Sequence, residues 1–154
     1  MKTKLLFLSI VLFSFSAIAA NQKELANEFN GYASININSG NQPAYISLKC
    51  GFVSEELFFT ADDSGKVNLT MQVNSDQTGV VNYKSNNIYG EKMPDGELDG
   101  KAIGWEYYFD APRGQIVVSI LNSGVTYTEV KVLHGDGYRT TKSKCKIENV
   151  IKSS

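Results

Sequence analysis

The sequence has little of what reactive or membrane-spanning chains usually carry. Among 154 residues there are one histidine, one tryptophan, three prolines and two cysteines. With His134 alone, a zinc centre would have to be built from carboxylates, which is uncommon. Asp136 lies close to His134, yet no G-x-S-x-G elbow supplies the nucleophile of a hydrolase triad. There is no C-x-x-C and no second soft ligand beside either cysteine, which argues against a metal or redox centre. Charge of one sign is also lacking: fifteen basic and sixteen acidic residues give −1, too balanced for a nucleic-acid binder. Beyond residue 20 no run approaches the eighteen apolar residues of an ordinary transmembrane helix.

What is present starts with an address. Residues 1–20 run from Lys2 and Lys4 through an apolar stretch, Leu5 to Phe15, to Ala17, Ala19 and Ala20. Basic, then apolar, then small at A-x-A spacing is the order of a cleaved secretory signal. Without Lys2 and Lys4 the mature chain, residues 21–154, keeps thirteen basic and sixteen acidic groups, near −3. That length suits a single domain. No cysteine follows the signal to carry a lipid, so the expected product is periplasmic or secreted, with no stable membrane anchor. In such a compartment Cys50 and Cys145 are expected to form one disulfide.

The mature chain is read as all-β. Asn21–Asn30 has helical spacing at Leu25, Ala26 and Phe29, and Gly31 is expected to stop a short N-terminal helix. Period two then takes over. Ala33, Ile35 and Ile37 alternate with polar residues, as do Ile46, Leu48, Cys50 and Phe52, and again Val67, Leu69, Met71 and Val73. Further strands are expected near 57–60, 80–84, 105–110, 115–122, 125–134 and 139–150, with a polar loop from Ser85 to Gly104. Short turns and one dry face per strand point to an antiparallel β-sandwich or small barrel of about eight strands. Cys50 and Cys145 both fall on the dry phase.

Several residues invite a chemical reading. Asp95, Glu97, Asp99 and Glu106 stand at positions one, three, five and twelve of a calcium-loop spacing, with Gly100 at six. Glu at position three and Ala102 at position eight depart from that pattern. Trp105, Tyr107 and Phe109 share a strand phase and would stack sugars if exposed, or form core if not. Paired carboxylates at Glu55–Glu56, Asp62–Asp63 and Asp95–Asp99 could run glycoside hydrolysis if a pair faced a cleft. Charge is segregated: Glu55–Asp110 holds eleven acidic and four basic residues, whereas Lys131–Lys152 holds six basic and two acidic. The acidic part could steer a cationic partner.

Ser123-Gly124-Val125-Thr126-Tyr127 reads S-G-x-x-Y at a turn between two strands. It resembles the signature of bacterial periplasmic lysozyme inhibitors, small signal-bearing β proteins with a disulfide. The resemblance implies that Ser123 and Tyr127 contact the carboxylate-lined cleft of a lysozyme, with Gly124 forming the turn. Tyr138 to Ser143 is similar to a second contact element, Y-x-x-x-T-K-G, but is one residue shorter and has Ser143 for glycine. It adds Tyr138 and Lys142 to the expected contacts. The expectation is therefore a non-enzymatic, cofactor-free binding protein of the bacterial envelope whose partner is a cationic protein such as a lysozyme. The alternative is a glycan- or calcium-binding module using 95–109.

Overall fold

The computed structural model describes residues 21–38, 42–95 and 100–152. The expected signal at 1–20 lies outside these residues, as do Glu97 and Asp99 of the calcium spacing. Residues 21–38 form a helix, α1. Eight strands follow: β1 (Ala44–Cys50), β2 (Val53–Ala61), β3 (Val67–Ser75), β4 (Gly79–Lys92), β5 (Gly104–Ala111), β6 (Gly114–Leu121), β7 (Thr126–His134) and β8 (Gly137–Lys152). Each pairs antiparallel with the next, and β1 pairs with β8, so the sheet closes as a barrel rather than a sandwich.

Alternation fixes which side chains face inward. Opposed residues share a face, and inward rows run Ile147–Leu48–Glu55–Val73–Val81 on one side. On the other, Tyr89–Tyr107–Val118–Thr128–Ser143 form such a row. Two strands change partners along their length. β4 pairs with β3 through Lys84 and with β5 from Ser85, while β8 pairs with β7 through Cys145 and with β1 from Lys146. The disulfide between Cys50 and Cys145 (Cα–Cα 4.2 Å) sits where β8 makes that change. Its cysteines are 95 positions apart in sequence, and cross-linking so long a loop restricts the unfolded chain by about 4–5 kcal/mol in the chain-entropy picture. The bond fits the oxidising compartment the sequence implies.

Three expectations are corrected. Gly31 does not end the helix, and 33–37 is not a strand: α1 continues to residue 38. Its buried stripe is Ala26, Phe29, Asn30, Ala33 and Asn36, at spacings of three and four, while Ile35 and Ile37 are exposed. The segment after Ser85 is likewise not loop throughout, because β4 runs on to Lys92.

The stripe of α1 seals the barrel end where β2, β4, β6 and β8 finish. Phe29 enters it, with ring centroids 5.3 Å from both Phe59 and Tyr107. An eight-strand barrel has a bore just wide enough for side chains to fill, and Ala26, Phe29 and Ala33 share one core with Ile46, Leu57 and Phe109. Asn30 accepts from the Tyr107 hydroxyl (2.8 Å) and donates to the Ile120 carbonyl (2.9 Å). Gln22 donates to the Ile147 carbonyl (2.7 Å) and accepts from its N–H (2.8 Å), so a side-chain amide takes the partner's place along β8 where β7 has ended. Replacing Phe29 with alanine should cost about 3–5 kcal/mol in urea-denaturation stability. A loss below about 1 kcal/mol would show that the helix is not part of the core.

Candidate functional site

The S-G-x-x-Y turn lies at the sealed end, between β6 and β7. Gly124 has φ +95°, and a Cβ there would stand 2.7 Å from the backbone nitrogen of Lys23, so glycine is required by both conformation and space. Three backbone bonds hold the loop: Gly124 N–H to Leu121 O, Leu121 N–H to Val125 O and Asn122 N–H to Ile103 O, each 2.8 Å. Helix α1 adds two more, Asn27 to the Asn122 carbonyl (2.8 Å) and Asn30 to its side-chain oxygen (3.1 Å). Ser123 is exposed on this clamped turn, its Oγ accepting from Val125 N–H at 3.5 Å. A recess of about 300 Å³ lies beside it, bounded by Gln22, Ser123, Val125, Lys144 and Lys146.

Tyr127 is not at the tip. It lies on the outer face of β7, half-buried between Ser119 and Lys144, with the Lys142 ammonium 3.6 Å from its ring centroid. The same outer face carries an ion pair between Lys92 and Glu106 (2.8 Å). Glu106 also accepts from Tyr108 (2.6 Å) and Ser119 (3.4 Å). Burial works to raise the Glu106 carboxyl, but Lys92 and Tyr108 outweigh it and hold it below its ordinary value. The bond to Glu106 pushes the Tyr108 hydroxyl up to about 12. Tyr138 is separate: it stands six strand positions from Lys144, about 20 Å away, exposed at the far end of β8. Ser123, Gly124, Tyr127 and Lys142 thus form one neighbourhood that Tyr138 does not join.

The other sequence candidates are dispersed. Asp95 is described, but Glu106, the twelfth position of the calcium spacing, has both oxygens engaged. Trp105, Tyr107 and Phe109 are buried, so their faces are closed to sugars. Glu55 points inward and Glu56 outward, where it accepts from the Tyr45 hydroxyl (2.9 Å). Asp62 caps its own turn through Ser64, Lys66 and Asn68. His134 is exposed at the β7–β8 turn.

In the sequence Glu55 stands out only as half of a carboxylate pair with Glu56. The period-two phase carried back from Leu57 and Phe59 would have placed it inside. Thr128 donates to it (2.5 Å) and lies 3.5 Å from Cys145 Sγ. Cys50, Glu55 and Cys145 stand within metal-ligand reach of one another, but the bonded sulfurs offer no thiolate. Burial pushes the Glu55 carboxyl up to about 6, against the opposing Thr128 bond. No family model, curated protein or solved structure matches the chain.

Because the fold favours the protonated form of Glu55, its contribution is fully present below about pH 4.5 and is lost as pH rises through about 6. The loss amounts to about 2 kcal/mol. In urea titrations at pH 4 and pH 8, Glu55→Gln should shrink the parent's drop in stability by that amount. An unchanged drop would place the carboxyl in contact with water.

Proposed function

We propose that this chain is an exported, non-catalytic binding protein of the bacterial envelope that inhibits a lysozyme-type wall hydrolase through its β6–β7 turn. The observation that carries this reading is the exposed Ser123 on a turn clamped from both sides by backbone and helix bonds. Lys144 and Lys146 flank it and Lys142 lies one outward position further on. A hydroxyl beside ammonium groups suits a cleft lined by carboxylates, where charge-assisted hydrogen bonds are the strong ones. Rigidity adds to this, since a turn already ordered loses little entropy on docking. The filled bore favours recognition at the surface over a ligand held inside. The turn and the β8 lysines beside it address the partner's acidic cleft, while the acidic middle of the chain offers attraction to its basic exterior.

The alternative, a glycan or calcium module on 95–109, has less support, because its aromatics are core and Glu106 is paired with Lys92.

The test is a titration of lysozyme activity with the mature chain. The parent should inhibit, and Ser123→Ala combined with Lys144→Ala should weaken inhibition by about tenfold to a hundredfold with melting temperature retained. A parent that neither binds nor inhibits, or a double variant that inhibits as well as the parent, overturns the reading.

A further inference from the structure

The two halves of β8 are finished differently. From Lys146 onward it pairs with β1, and Gln22 covers Ile147 where β7 has ended. From Gly137 to Lys144 it pairs with β7 alone, and all eight residues are exposed. The β1 register ends at Lys49 opposite Lys146, and β1 then turns back through Gly51 and Phe52. Among the described residues, no strand lies along the other edge of 137–144. Such an edge, about 26 Å of unpaired backbone donors and acceptors, is a template for another strand.

We infer that this edge accepts an extended acidic segment of a partner protein, added antiparallel to β8 in the lane that β1 leaves. Three observations select this occupant. A recess of about 490 Å³ occupies the start of the lane, bounded by the disulfide's Cys50, the Gly51–Phe52 turn, the Ser75–Gln77 turn and Ser143. At its lip Phe52 is 95% exposed, an apolar contact for an incoming side chain. The edge is cationic: Lys142 and Lys144 stand on the outer face with Ser143 between them, Arg139 stands on the other face nearer the β7–β8 turn, and none of the three makes an ion pair among the described residues. Nearby Glu129 is already held by Lys131 at 3.1 Å. A second copy of the same edge would set these cations against their own kind, so self-pairing is opposed. Main-chain bonds would supply affinity and the cations would supply selection. This surface shares Lys142 and Lys144 with the Ser123 site and adds Phe52 and Arg139, which the inhibitor reading does not use.

The mature chain is titrated with a short peptide of alternating glutamate and valine while its backbone amides are followed by NMR. Shifts and slowed hydrogen exchange confined to 137–144 and the Phe52 turn are expected. Binding should weaken about tenfold or more in Arg139→Glu or at about 0.5 M salt, and less in Phe52→Ala. A lysine–valine peptide, and a glutamate–valine peptide with a central proline, should both fail. The inference is overturned if no peptide shifts these amides, or if the lysine or proline peptide binds as well. It is equally overturned if a single-stranded oligonucleotide produces the shifts in place of the glutamate peptide.

Discussion

Phe29, held between Phe59 and Tyr107, is the contact on which the rest of this barrel depends. Eight meandering strands leave two ends at which inward side chains meet water. One end is closed here by a helix that contributes an aromatic ring to the core and amides to the rim. Each amide replaces a backbone partner the strands do not supply: Asn30 at Ile120, Asn27 at Asn122, Gln22 at Ile147. Asn30 is the buried one of the three, and its burial is tolerable only because its bonds are complete. The Ser123 turn inherits its rigidity from that arrangement, since Gly124 packs directly on the helix backbone.

The strands were legible because each has one wet face and one dry face, and alternation records that difference directly. Cys50 and Cys145 could be placed inward on phase alone, and they meet. The helix was half legible. Its buried stripe includes Asn30 and Asn36, which hydropathy counts as surface residues, while Ile35 and Ile37 are exposed. What makes Asn30 an inward residue is a hydroxyl and a carbonyl about ninety and fewer positions away in sequence, and no local pattern encodes those. Period two therefore prevailed over 33–37 by default. The extension of β4 past Ser85 was hidden for a related reason: its polar residues lie where the strand exchanges β3 for β5. At the candidate site, the turn and its glycine were readable, whereas the Lys142–Tyr127 stacking and the ion pair of Lys92 with Glu106 depend on registers only the closed barrel defines.

Charge segregation along the sequence becomes spatial segregation in the barrel. The basic stretch from Lys131 to Lys152 lies largely on β8, a strand that belongs to both halves of the sheet. One face of the molecule is thereby cationic although the whole chain is nearly neutral. The sealed end presents that charge on β8 beside a clamped loop, and the opposite end presents it along bare backbone.

Seven of the eight strand pairings join neighbours in sequence, and only the β1–β8 seam joins the two ends of the sheet. Most contacts are therefore local hairpins whose loop-closure cost is small, and the entropy of assembling the barrel is concentrated in one long-range event. The cross-link between Cys50 and Cys145 spans that seam. Oxidation thus acts as a latch on topology: it turns an open ribbon of hairpins into a ring, and does so at the point where spontaneous closure is most costly.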